Sequence, residues 1–150
     1  MGDDGDRLVI STGLGLDRLT NLLSNLTPVE LNLTLPNDWT VSTALAHLAF
    51  WDQWVVARWR RFREIGGFDE IDDIVMDLVN EAAVPAWTAL TAGETVAMAL
   101  ASARHVSDTV SNLPEVARAA AVDTGRNSML DRSLHWDPHL QEITDTMRLA

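Results

Sequence analysis

Apolar residues recur along this chain at intervals of three and four, the period of helices that bury one face. From Leu14 to Leu26 the apolar positions are Leu16, Leu19, Leu22, Leu23 and Leu26. Pro28 and then Pro36-Asn37-Asp38 break the pattern and mark a connecting loop. The clearest helix follows, Val41 to Arg63, with Thr40 or Ser42 as N-cap candidates. Val41, Ala44, Leu48, Trp51, Val55, Trp59 and Phe62 form its apolar stripe, and Gly66-Gly67 stops it. A third helix is predicted over Asp72 to Leu90, kinked or split at Pro85. A fourth spans Glu94 to Leu113, with Val96, Leu100, Ala103, Val106, Val110 and Leu113 as core positions and Pro114 just past its end. The polar stretch Asp123 to Asn127 leads into a last helix carrying Leu140, Ile143 and Met147. There is no strand pattern, internal repeat or low-complexity tract. Five amphipathic segments with short connections predict an all-α fold, an antiparallel four-helix-bundle core with one accessory helix.

Composition narrows this picture. Residues 1–13, with Gly2, Gly5 and three Asp before Leu8, read as a flexible leader, leaving 14–150 as a single domain. A chain of 150 residues can bury about 68–70% of its unfolded surface around one core. The formal charge is −11, from 22 acidic and 11 basic residues, and every basic residue is Arg. Such a field repels polyphosphate backbones and anionic lipid, so neither nucleic acid nor membrane is expected as a partner. Four arginines, Arg58, Arg60, Arg61 and Arg63, gather at the end of the second helix, where they complement its dipole. With no Cys, disulfides, thiolate ligands and a cysteine nucleophile are excluded. The N-terminus, Met1-Gly2-Asp3-Asp4, is acidic where a secretory signal is basic, and no long uncharged apolar run is present. The expected location is the cytoplasm.

The candidate chemistry lies in the histidines. His135 and His139 are spaced i, i+4, one helical turn apart on one side. His47 lies far earlier, with Thr43, Trp51, Trp54 and Arg58 within about 40° of it on a helical projection. Both sets sit at the edge of an apolar stripe, where a ligand facing a bundle interior belongs. Three neutral imidazoles with an open position are the arrangement of a catalytic metal. The same spacing also suits hydrogen-bonded histidines at a core edge with no metal. His105 falls off the stripe of the fourth helix and is expected to face solvent. Pro138 leaves two local structures open, because proline sits comfortably only in a helix's first turn. A helix starting near Ser133 or Leu134 keeps both histidines helical, whereas one capped by Asp137 and starting at Pro138 leaves His135 outside.

Two runs carry a family resemblance. Trp39-Thr40-Val41 through Ala46-His47-Leu48-Ala49-Phe50-Trp51-Asp52 resembles the second-helix signature of the DinB-like superfamily, which includes mycothiol-dependent maleylpyruvate isomerases and related bacterial thiol transferases. Arg132-Ser133-Leu134-His135-Trp136-Asp137-Pro138-His139-Leu140-Gln141-Glu142-Ile143 resembles the last-helix motif of that family, although Trp136-Asp137-Pro138 replaces the polar residues usual between its histidines. Val79-Asn80-Glu81 and Pro85-Ala86-Trp87 are similar to the third-helix region of its small, single-domain members. The likeness extends from about residue 14 to 148. It implies an up-down-down-up bundle and a divalent metal, zinc or nickel, held by His47, His135 and His139. It also implies a low-molecular-weight thiol such as mycothiol, used in S-transfer or isomerisation of a small-molecule substrate, and a homodimer.

Around such a site, Trp51, Trp54 and Trp87 are candidates for the walls of an apolar pocket, and Arg58 for neutralising a substrate carboxylate. Asn80 is a polar residue in an otherwise apolar helix and a candidate pocket residue. Glu142 is a candidate for orienting a ligand histidine from behind. No catalytic acid, base or nucleophile is identified within the chain. The alternative is a non-catalytic helical protein that binds a metal or small ligand, its histidines serving structure.

Overall fold

The computed structural model describes residues 2–150 and, among them, is helical throughout, with no strand beyond one isolated bridge between Thr34 and Thr40. Seven α-helices follow in order: α1 (Gly2–Asn25), α2 (Pro28–Leu31), α3 (Val41–Ile65), α4 (Asp73–Thr88), α5 (Ala92–Ser111), α6 (Glu115–Asp123) and α7 (Ser133–Leu149). A 3-10 turn, Asn127–Met129, precedes α7. The all-α expectation holds. The short helices α2 and α6, which lie in stretches read as connections, are additions to it.

Local chemistry sets the boundaries. Thr40 caps α3 by accepting from the Thr43 amide at 3.0 Å, and Gly66 ends it at φ 72°, a left-handed conformation that glycine adopts without a Cβ penalty. Thr91 and Glu94 form a reciprocal capping box on α5. Pro85 does not split α4, which continues through it to Thr88.

Residues 2–13 correct the leader expectation. Among the described residues the chain is helical from Gly2, and Thr12 is completely buried. Its hydroxyl donates to the Leu130 carbonyl at 2.6 Å and accepts from the Arg132 amide at 2.8 Å, tying α1 to the entry of α7. Gly5, read as a sign of fraying, instead permits close approach to Arg118 of α6, and Gly15 does the same toward α7. A Cβ on Gly15 would stand 2.8 Å from the Ser133 Cβ and 3.2 Å from the Trp136 ring. Tertiary packing here overrides low helix propensity. Met1 lies outside the described residues.

Each of α1 and α3 packs against both α5 and α7, and the core fills the space between them with Leu19, Leu45, Leu48, Val106, Leu130, Trp136 and Ile143 among the most deeply buried side chains. Side-chain pairs fix relative directions. Gly15 meets Ser133 and Arg18 binds Asp137, so α1 and α7 run parallel. Ser42 bonds Thr95 and Gln53 bonds Ser102, so α3 and α5 run parallel. His47 meets His135 and His139 while Asp52 meets Arg132 and Trp136, so α3 and α7 are antiparallel. Helix α4 packs mainly on α3 and buries only Trp87. No helix among the described residues is long and apolar enough to cross a membrane.

Candidate metal centre

The antiparallel crossing of α3 and α7 brings His47, His135 and His139 together. Their ring centroids form a nearly equilateral triangle with sides of 5.0, 4.9 and 5.1 Å. One nitrogen from each ring lies within 4.8 Å of the others, and the Nε2 atoms of His47 and His135 are 3.0 Å apart. Helix α7 begins at Ser133, so both of its histidines are helical and Pro138 lies inside the helix. Proline there removes the donor due to the Leu134 carbonyl, at a residue that is 53% exposed and open to solvent. Of the two structures left open by Pro138, the converging one is present.

All three rings titrate low. Burial pushes His47 down to about 4, the neighbouring His139 adds to this, and Asn80 opposes it in part. Burial, then the Arg132 charge, hold His135 well below the usual imidazole range. His139 is lowered by burial against the opposing charge of Glu142. Three neutral imidazoles at physiological pH are the protonation state a divalent cation needs. The donor set therefore suits a divalent transition metal, several of which accept imidazole nitrogen.

Behind His135 lies a buried ionic chain to which the sequence reading assigned no role. Arg132 donates from Nε to Asp52 Oδ1 at 3.0 Å, from Nη1 to the Ser128 carbonyl at 3.0 Å, and from Nη2 to His135 Nδ1 at 3.1 Å. The Trp136 indole N–H also donates to the Asp52 carboxylate, 2.9 Å from Oδ2. Burial raises the Asp52 pKa, while Arg132 and Trp136 hold it back. The signal was available. Asp52 falls on the buried face of α3 with Trp51 and Val55, where a carboxylate demands a charged or N–H partner.

Guanidinium can only donate, so His135 Nδ1 is an acceptor here and its proton resides on Nε2. That proton points to His47 Nε2, which leaves the His47 proton on Nδ1, a buried atom with no hydrogen-bond partner. Ligation through His135 Nε2 requires either a break in the Arg132 contact or loss of the ring proton.

The expected surroundings divide. Trp51 and Asn80 line a cavity of about 320 Å³ together with His47, His135, Arg132, Met76, Leu134 and Ser128. The Trp51 indole donates to Asn80 Oδ1 at 2.7 Å, fixing α4 to α3. Trp87 does not line this cavity but packs its edge on His47 at 5.4 Å, and Trp39, given no pocket role from sequence, lies 5.1 Å from the same ring. Trp54 packs edge-to-face against Trp51, ring centroids 5.2 Å apart, one layer away. Arg58 is not at the cavity, because its guanidinium bonds the Asp69 carbonyl at 2.8 Å and lies over Phe68. Glu142 makes no hydrogen bond to a histidine and acts on His139 only through its charge. His105 is exposed, as its position off the stripe predicts. Set beside protein-family models, curated proteins and solved structures, the chain finds no match in any of the three.

Proposed function

We propose that this chain is a divalent-metal-dependent enzyme of the DinB-like type, in which His47, His135 and His139 hold zinc or nickel and a low-molecular-weight thiol such as mycothiol serves S-transfer or isomerisation. The observation that carries the reading is the convergence of three imidazoles, from helices remote in sequence, with donor nitrogens within 4.8 Å of one another. The relative directions of α1, α3, α5 and α7 support an up-down-down-up four-helix bundle with α4 as the accessory helix.

A cation held by His47, His135 and His139 would supply Lewis acidity, lowering the pKa of a water or small thiol toward neutrality. The chain contains no Cys, so a thiol must arrive from solution. Trp51, Met76 and Leu134 offer an apolar wall to an incoming substrate, and the Asp52–Arg132 pair lies directly behind His135. All three imidazoles come from one chain, so the site does not depend on the homodimer that the resemblance implies.

A second reading, a helical protein with structural histidines, is favoured by one observation: the Arg132 bond to His135 Nδ1 already satisfies that ring without a metal. Thiol-dependent consumption of an electrophile separates the two. Untagged protein is assayed with mycothiol or cysteine and 1-chloro-2,4-dinitrobenzene, alongside EDTA-treated protein and His47→Ala. Turnover that requires thiol and is lost on both treatments supports the enzyme. Tightly bound metal with no thiol-dependent turnover across electrophiles supports the second reading.

A further inference from the structure

A cavity of about 680 Å³ lies away from the histidines, in the cleft between the C-terminal halves of α3 and α5 and closed by the start of α6. It shares no lining residue with the cavity beside His47. Its floor is apolar, formed by Trp59, Phe62, Leu113 and Pro114, while Arg60, Arg63, His105 and Asp108 stand around it. The volume falls within the range of small-molecule sites, which pair apolar walls with a few polar groups.

The arginines distinguish this cleft from an ordinary groove. The chain carries twice as many acidic as basic residues. Arg7, Arg18, Arg61, Arg118, Arg126, Arg132 and Arg148 all form ion pairs, and Arg58 bonds a backbone carbonyl. Among the described residues only Arg60, Arg63 and Arg104 make neither an ion pair nor a side-chain hydrogen bond, and the first two line this one cavity. Guanidinium left free beside an apolar floor is suited to a carboxylate, which it binds through two parallel N–H donors.

We propose that this cleft is a second ligand site, for a small monoanionic amphiphile with one carboxylate head and an apolar body. Two guanidiniums against the Asp108 carboxylate leave a single net positive charge. The C-terminal ends of α3 and α5 point the same way and add partial negative charge of their own. A polyanion such as a phosphate ester is therefore disfavoured. Trp59 and Phe62 present ring surface to the apolar body, and His105, whose Nδ1 lies 3.3 Å from the Gln53 amide, keeps Nε2 as a further N–H donor. This site stands independently of the metal reading.

The test is calorimetric titration of the full chain with decanoate and, as a neutral control of equal length, 1-decanol. Saturable decanoate binding at one site per chain is expected. Arg60→Gln/Arg63→Gln should weaken decanoate about tenfold, the scale of one lost charge-assisted hydrogen bond, while decanol binding stays unchanged. Thr109→Phe, which fills the cleft from α5, should abolish binding of both, and His47→Ala should alter neither. Circular dichroism melting confirms that each variant folds. Absence of saturable decanoate binding, equal weakening of decanoate and decanol, or loss on His47→Ala would overturn the assignment.

Discussion

Asp52 is the most exposing point of attack on this fold. Its carboxylate is 1% exposed and accepts from Arg132, 4% exposed, and from the wholly buried Trp136 indole. Asp52→Ala removes one partner of a buried ion pair and leaves a guanidinium uncompensated, a change that costs about 3–5 kcal/mol. The orphaned indole N–H adds about 1–3 kcal/mol where water cannot reach it. Because Arg132 keeps its bonds to the Ser128 carbonyl and His135, the lower part of the combined range applies, about 4 kcal/mol. Asp52→Asn keeps an acceptor oxygen for Trp136 but removes the charge, and is expected to cost about half as much. Urea unfolding followed by tryptophan fluorescence measures both. At a slope of about 2 kcal/mol per molar, Asp52→Ala lowers the midpoint by about 2 M with the slope unchanged. A double-mutant cycle with Arg132→Ala should return a coupling of at least about 2 kcal/mol, since both partners then leave together. A midpoint shift below about 0.5 M for Asp52→Ala, or equal losses for Ala and Asn, would refute the ionic chain as described.

Other consequences follow from the same geometry. His47 falls from 6.5 to about 4 in the folded state, so the unfolded chain binds more protons between those values. Stability linked to His47 is thus fully present above pH 6.5 and lost as pH falls through about 4, a decline of about 3 kcal/mol. Metal-free protein unfolded in urea from pH 7 to pH 4 should lose about that much more than His47→Gln, and parallel profiles would contradict the burial argument. Gly15→Ala places a Cβ 2.8 Å from Ser133 and should cost about 1–3 kcal/mol. Gly13→Ala, with nothing within 4 Å on the same helix, should instead raise stability by about 0.5–1 kcal/mol. Thermal melts of the pair give opposite signs if α1 lies on α7 as described, and the same sign if it does not.

The fold is legible in the sequence where one physical rule governs a segment alone. The stripe of α3 predicted Val41–Arg63 within two residues of the observed end, because apolar periodicity, a threonine cap and a glycine stop all agree. The histidines on α3 and α7 sat at core edges for the same reason. The fold is not legible where a partner decides the outcome. Gly2 and Gly5 suggest fraying, but Gly5 lies against Arg118 of α6, where an added Cβ would stand 3.1 Å from the Arg118 Cβ. Arg58 lies within helical reach of His47, yet the chain after α3 folds back and offers it the Asp69 carbonyl. Glu142 is suited by position to orient a histidine, but Arg132, at the N-cap of the same helix, is the residue bonded to His135. Helix α4 shows the limit most clearly: its apolar sequence suggests burial, but Ile74, Val75, Met76 and Leu78 are all exposed.

Three imidazoles from two helices are proposed to form one divalent-metal site. Elemental analysis of untagged protein, purified without chelator, tests it directly when wild type, His47→Ala and His139→Ala are compared. Zinc or nickel near one equivalent per chain in the wild type, falling to background in both variants while each remains folded, is the predicted result. Wild-type protein that carries no metal and takes up neither zinc nor nickel on dialysis would contradict it, leaving the histidines as a hydrogen-bonded cluster anchored by Arg132.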